Sequence, residues 1–326
     1  MNNHNILVSI CITTYNHGDF IQQALEGCIM QKTNFDIEIL INDDASTDKT
    51  VEILRKYEEE YPDIIKPVFQ TSNQYSKGVH PMAELVYPRA GGKYIALCEG
   101  DDYWTDPYKL QKQVDFLEKN SDFGMVCTDY KRFYQEKKRF KDHCFRKSKY
   151  NSEVKYEDYL LDRSTIGTAT VLFKQELLNK YYKEIPEKVR YSWNVGDTPM
   201  WLYFSIKSKI GVLNIETAVY RVLKISACHF KNPLDHYNFV LKGFEIPDYF
   251  IAHYTTSESI KKEIAARKKR AKLHYAYKIR DRKLFEKELR SYRIEGYKLN
   301  KSFILRRIGL LNNFFYQVSE KILKRT

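Results

Sequence analysis

The six cysteines of this chain, at positions 11, 28, 98, 127, 144 and 228, include no Cys-x-x-Cys pair. That removes the usual zinc-ligand and redox spacings. Three of the six sit in apolar runs, so they read as reduced core residues of a cytosolic protein rather than a disulfide framework. No run of 18 apolar residues occurs, so no segment has the length to span a bilayer as a helix. The N-terminus, MNNHNILVSICITTYN, lacks the basic n-region and long apolar h-region of a secretion signal. Neither G-x-x-x-x-G-K-[ST] nor G-x-G-x-x-G is present, which argues against a P-loop NTPase and against an ordinary dinucleotide enzyme.

What is present suffices for a sizeable core, since 43% of the 326 residues are hydrophobic. Helical patterns alternate with short apolar runs, which predicts an α/β protein. The formal net charge of +12 is unevenly placed. Residues 257–326 hold 21 Lys+Arg against 7 Asp+Glu, and the rest of the chain holds 33 against 35. The basic character therefore belongs to a long C-terminal helical pattern, and residues 236–326 are expected to form an extension to a domain spanning 1–235.

Residues 7–13 (LVSICIT), 37–41 (IEILI), 64–69, 94–98 (YIALC) and 124–128 read as buried strands. Helical spacing follows the first, second and fourth. A helix is expected over 81–89 and another over 199–206. Residues 130–160 read as an insertion or loop, 166–173 as a strand, and 210–214 and 218–221 as two further short strands. Three strands end in polar clusters: ITTYN, INDDAS and CEGDDYW. In an open α/β sheet, ligands sit at the carboxyl ends of strands, so Thr13, Tyr15, Asp43, Asp44, Asp101 and Asp102 are expected in one crevice.

Each cluster has a chemical and a purely structural explanation. Glu99, Asp101 and Asp102 would repel one another if packed unpaired, and a divalent cation such as Mg²⁺ or Mn²⁺ removes the conflict. A solvated acidic turn ahead of Pro107 explains the same residues. Asp43 and Asp44 suit hydrogen bonding to a nucleobase or ribose, or an Asx turn and helix cap. Thr13, Thr14 and Tyr15 are equally good strand-end and turn residues.

Taken together, VSICITTYNHGDFIQQALEGCIMQ, EILINDDASTDKTVEIL and GGKYIALCEGDDYWTDPYKLQKQVDFLE resemble the family-2 inverting glycosyltransferases; GDTPMWLYFSIKSKIGVLNIETAVYR continues the match. The resemblance covers about two-thirds of the chain in order and spacing. It implies a GT-A fold, a Rossmann-like mixed sheet flanked by helices. It implies a nucleotide-diphospho-sugar donor, usually UDP-linked, and Mn²⁺ or Mg²⁺. Thr13 and Tyr15 match the family's first nucleotide-contacting loop. Asp44 matches the residue that holds the base, with Asp43 beside it. Glu99-Gly100-Asp101-Asp102 matches the motif for metal and diphosphate, with Glu99 where most relatives have Asp. Asp197 matches the catalytic base, although Gly196 stands where many relatives have Glu, and an Asp two residues before Pro199 also suits a helix cap. Relatives often read Tyr-Arg-x-His further on; here the segment is Tyr220-Arg221-Val222-Leu223, and His229 is the nearest substitute ligand.

The expected protein is thus a cytoplasmic, metal-dependent glycosyltransferase that adds a sugar to a polysaccharide or lipid-linked glycan. The basic, aromatic tail suits peripheral contact with an anionic inner membrane face, or packing as a helical appendage. No nucleic-acid partner is expected. The alternative is a catalytically inactive, basic RNA- or membrane-binding protein with a GT-A-like domain.

Overall fold

The computed structural model describes residues 6–145, 152–161, 166–224, 232–297 and 301–323. The chain folds as two compact units, one of residues 1–192 with 196–224, the other of 193–195 with 225–326.

The first unit is built on one sheet. Its strands are β1 (Ile6–Thr14), β2 (Asp36–Asp43), β3 (Ile65–Phe69), β4 (Tyr94–Leu97), β5 (Tyr103–Trp104), β6 (Phe123–Tyr134), β7 (Arg139–Lys141), β8 (Glu153–Val154), β9 (Leu172–Lys174) and β10 (Lys209–Val222). They lie in the order β3-β2-β1-β4-β9-β6-β10-β5, with β7 on β6 and β8 on β10. β1, β2, β3 and β4 are mutually parallel, and β9 runs antiparallel to both β4 and β6. Val8, Ile10, Ile12, Ile39, Ile41 and Ile95 are fully buried. Such continuous apolar runs belong to parallel strands covered on both faces. The helices Ile21–Ile29, Thr50–Glu60, Lys109–Lys119, Gln175–Glu184 and Asp197–Lys207 pack on this sheet.

Four stretches fold differently from their sequence patterns. Residues 210–214 and 218–221 are one strand, β10, whose register against β6 shifts on either side of Glu216. The polar interruption between the two apolar runs is a bulge, not a turn. Within 166–173 a 3₁₀ turn, Thr168–Thr170, precedes the short β9. The expected helix over 81–89 is a π turn, Met82–Val86, followed by the 3₁₀ turn Tyr87–Arg89, where Pro88 removes a backbone donor. The loop expected over 130–160 begins instead as the end of β6 and the β6–β7 hairpin.

Cys11, Cys28, Cys98 and Cys127 are buried and unpaired, as their apolar settings suggest. Beside them Lys109 is fully buried, its ammonium 4.1 Å from the Trp104 ring centroid and 2.8 Å from Gln113 Oε1. Burial pulls its pKa down to about 7. The unfolded chain holds this proton to about pH 10.4. The charge therefore costs stability most below pH 7, and the cost fades as pH rises through that window. Urea unfolding at pH 6, 8 and 9.5 is expected to move in favour of the wild type relative to Lys109→Met as pH rises. A gap that stays constant would mean that Lys109 titrates alike in both states.

The second unit is helical. Its helices are Pro233–Lys242, Glu245–His253, Glu258–Lys278, Arg282–Ile294, Lys301–Gly309 and Asn313–Leu323. Leu273, Tyr277, Phe285, Leu289, Tyr292 and Phe303 form its own buried cluster. On Lys301–Gly309, Asn313–Leu323 and the turn between them, however, Ile304, Ile308, Leu311, Phe314, Val318 and Ile322 are exposed.

Candidate functional site

Parallel pairing sets the carboxyl ends of β1 and β2 side by side, with Thr13 opposite Asn42 and Thr14 opposite Asp43. The two loops that follow are then laced together. The Asp44 amide donates to the Thr14 carbonyl at 2.9 Å, the Asn16 amide to Ser46 Oγ, and the Thr47 amide to Asn16 Oδ1. Asn16 and Ala45 adopt positive φ to make these turns. Tyr15 stands at the rim, 45% exposed.

The two neighbouring carboxylates at the end of β2 have different surroundings. Asp44 accepts the Gln74 and Tyr75 amides at 2.7 and 3.1 Å, so it orders the chain after β3. Asp43 is fully buried; Oδ2 accepts the Ser46 amide at 3.1 Å, while Oδ1 has no hydrogen-bond partner. A buried oxygen left in that state is costly, and a ligand's N–H or O–H is a natural complement.

β4 lies on the other side of β1 and delivers the third loop. The Gly100 amide donates to the Thr13 carbonyl at 3.1 Å. The approach is close: a Cβ on Gly100 would fall 2.6 Å from Thr14 Oγ1 and 2.8 Å from His17 Nδ1. Gly100→Ala is therefore expected to cost about 1–3 kcal/mol, the usual cost of overpacking. At Gly196 an added Cβ meets nothing within 4 Å, so Gly196→Ala is the comparison. Thermal unfolding of the two variants checks this; equal melting temperatures would mean that the loops part without cost.

The carboxylates of this loop are crowded. Asp102 is buried, and its Oδ1 accepts the Arg221 amide of β10 at 2.8 Å. Arg221 also donates through Nε to the Asp101 carbonyl at 2.6 Å, with its guanidinium over the Phe20 and Tyr103 rings. Glu99 Oε2 is buried with no hydrogen-bond partner. Burial, then the charges of Asp101 and Asp197, push the Glu99 carboxyl up to about 8. Burial, then the charges of Glu99 and Asp101, raise Asp102 as well. Three acidic side chains, one with a buried open oxygen, repel one another here, a conflict that a bound cation would relieve; among the described residues, however, the group whose ligand atoms lie within 4.8 Å of one another is a different one, Asp129, His143 and Glu216.

Asp197 completes the group. It is the first residue of the helix Asp197–Lys207, with Gly196 in the cap position. Its Oδ1 accepts the Thr198 amide at 2.6 Å, and its Oδ2 lies 3.4 Å from Thr168 Oγ1. Thr168 also hydrogen-bonds Glu99. With one proton to give, that hydroxyl serves one carboxylate at a time unless Glu99 is itself protonated. Burial raises the Asp197 carboxyl, against the pull of its bonds to Thr198 and Thr168.

The structure thus brings Thr13, Asp43 and Asp44 together with the Glu99–Asp102 loop, and sets Asp197 beside Glu99. Thr168 emerges only here, and so does the role of Arg221. Thr168 lies in a segment that reads as a strand, and Arg221, although it matches the Arg of the family's Tyr-Arg-x-His segment, carries no sign in the sequence that it meets Asp101 and Asp102. His229 lies outside the described residues.

A family model described as "Glycosyl transferase family 2" matches residues 9–182. Among sequence relatives, Rv1520 of Mycobacterium tuberculosis is 34% identical over 218 residues, 66% of this chain and 58% of that protein. WfaP of Escherichia coli, a UDP-Glc:alpha-D-GlcNAc-diphosphoundecaprenol beta-1,3-glucosyltransferase, is 37% identical over 131 residues, 40% of this chain and 47% of that one. The chain thus spans about half the length of the curated relatives it matches. Among solved structures, the mannosyltransferase PcManGT of Pyrobaculum calidifontis, in complex with GDP-Man and Mn²⁺, superposes with a TM-score of 0.56 at 15% identity. That match covers 98% of this chain and 84% of that one, and it is a likeness of fold.

Proposed function

Because this chain belongs to glycosyl transferase family 2, we propose that it moves a sugar from a UDP-linked nucleotide-diphospho-sugar to a hydroxyl acceptor, with inversion and with a divalent metal. The observation that carries the reading is two buried, unpartnered carboxylate oxygens after the strands that flank β1, Asp43 Oδ1 at the end of β2 and Glu99 Oε2 after β4, with Glu99 beside Asp197. Catalysis is assigned to residues 1–235, and residues 236–326 form a basic extension.

In this reading Thr13, Tyr15, Asp43 and Asp44 bind the nucleoside. Asp43 Oδ1 accepts from the base or ribose, while Asp44 shapes the wall through Gln74 and Tyr75. Asp101 sits at the diphosphate. Glu99, Asp101 and Asp102 hold Mn²⁺ or Mg²⁺, which supplies positive charge where the departing diphosphate develops negative charge. Asp197 takes the acceptor hydroxyl proton as that oxygen attacks the anomeric carbon; its raised pKa brings it nearer the working pH, as suits a general base. Arg221 keeps the Asp101–Asp102 turn on β10.

A thermal-shift panel of UDP- and GDP-sugars with and without Mn²⁺ tests the donor, since a ligand that binds only the folded state raises its melting temperature. A rise with a UDP-sugar that needs the metal is expected. No rise and no metal-dependent donor hydrolysis with any nucleotide sugar would overturn the reading.

The acceptor is proposed to be a polysaccharide or lipid-linked glycan met at the inner membrane face; the lipid-linked substrate in WfaP's name supports this. No helix among the described residues is long and apolar enough to cross a membrane. The exposed Ile304, Leu311 and Phe314 on a strongly basic segment support contact from the side. Full-length protein is expected to co-sediment with anionic vesicles at low salt, and Ile304→Asp/Phe314→Asp to lose this with an unchanged melting temperature. Equal sedimentation of both would remove the apolar face from the account.

A further inference from the structure

A second group of ligating side chains lies on the same sheet. Asp129 is in β6, directly after Thr128, whose hydroxyl pairs with that of Thr217 at 2.6 Å. Glu216 stands opposite Asp129 at the β10 bulge, the irregularity that turns an extra residue out of the ladder. His143 follows β7 at φ +50° and returns over the same spot. Its Nδ1 lies 3.3 Å from Asp129 Oδ2 and 3.2 Å from Glu216 Oε2.

An imidazole Nδ1 carries at most one hydrogen, so it cannot donate to both carboxylates. Both separations are also longer than a charge-assisted N–H···O bond, about 2.7–2.9 Å. They do match another geometry. Ligand atoms about 2.0–2.1 Å from one ion in a tetrahedral site stand about 3.3–3.4 Å from each other. The atoms Asp129 Oδ2, His143 Nδ1 and Glu216 Oε2 all lie within 4.8 Å of one another.

The supporting bonds are those of a held ligand set. Asp129 is almost wholly buried, and its Oδ1 accepts the Tyr130 and Phe145 amides, both at 2.8 Å, which fixes the direction of Oδ2. Glu216 Oε2 accepts the His143 amide at 3.1 Å, and Oε1 faces Lys131 Nζ at 3.6 Å. The His143 side chain is 43% exposed, so the cluster is open to solvent on one side.

We propose that Asp129, His143 and Glu216 bind a Zn²⁺ ion, with water as the fourth ligand, that ties the β6–β7 hairpin to β10. One imidazole with two carboxylates is a donor set that Zn²⁺ accepts. The site is separate from the Glu99–Asp102 loop and does not depend on the reading of that loop.

The test uses full-length Asp101→Asn/Asp102→Asn protein, which removes ligands of the other cluster, stripped with chelator and titrated with Zn²⁺ alone. One equivalent is expected to bind and to raise the melting temperature. Adding His143→Ala, or Glu216→Gln should that variant fold poorly, is expected to weaken binding by more than the roughly 10–100-fold that loss of an outer-shell partner costs. Co²⁺ is expected to give visible d–d bands that the same substitutions abolish. Failure of the parent to bind Zn²⁺, or equal binding by parent and variants, would overturn the proposal and leave a His–carboxylate ion pair.

Discussion

Asp197→Asn is expected to lower the rate of sugar transfer by roughly 10²–10⁴-fold, the usual contribution of a positioned general base, while donor binding persists. The rate loss follows from chemistry alone: an amide cannot take a proton from the acceptor, yet it keeps nearly the shape of the carboxylate. Retained binding follows from position, because the nucleoside contacts are proposed on β1 and β2. The competing role is structural. Asp197 accepts the Thr198 amide at the start of a helix, where a negative charge is favoured. Gly196, however, holds the cap position. Calorimetric donor affinity, single-turnover rates and thermal unfolding, measured together, separate the roles. A variant that unfolds early and regains activity when Asp197 is replaced by Ser would make the residue a helix-start device and nothing more.

Asp101→Asn and Asp102→Asn are each expected to abolish metal-dependent transfer, a loss above roughly 10²-fold given the worth of charge stabilisation at a developing anion. The two differ in their cost to the fold. The Asp102 carboxylate accepts the Arg221 amide in the interior, so its amide variant weakens a buried bond as well as the acidic cluster. For Asp101 it is the backbone carbonyl, not the side chain, that Arg221 Nε engages. Asp101→Asn should thus keep the wild-type melting temperature, and Asp102→Asn should lose a few degrees. The readout is turnover across a Mn²⁺ titration. Near-wild-type turnover of both variants at limiting metal would sink the assignment of this loop.

The linear pattern was informative where function depends on short polar segments after strands. Runs such as LVSICIT and IEILI can satisfy their backbone and bury their side chains only as strands inside a sheet. The clusters that follow them must then emerge together at one edge. Thr13, Asp43, Asp44 and the Glu99–Asp102 loop were legible for that reason, and so was the helical, basic segment from 257 onward.

Other features depend on which strand lies beside which. Asp43 and Asp44 are adjacent and chemically alike, and only the path of residues 70–75 engages one carboxylate and leaves an oxygen of the other open. Thr168 reaches Glu99 and Asp197 because β9 enters the sheet antiparallel beside β4 and carries a 3₁₀ turn to the cleft. Arg221 meets Asp102 across 119 positions of sequence because β5 pairs back onto β10. Asp129, His143 and Glu216 meet through a hairpin and a bulge. By itself the sequence determined the parallel strands β1, β2 and β4, the loops that end them and the charged tail, since these follow from local hydrophobic period and turn chemistry. Strand order, the bulge and the partner of each buried carboxylate were decided only by the tertiary structure, because they come from pairing between distant segments, which no local pattern encodes.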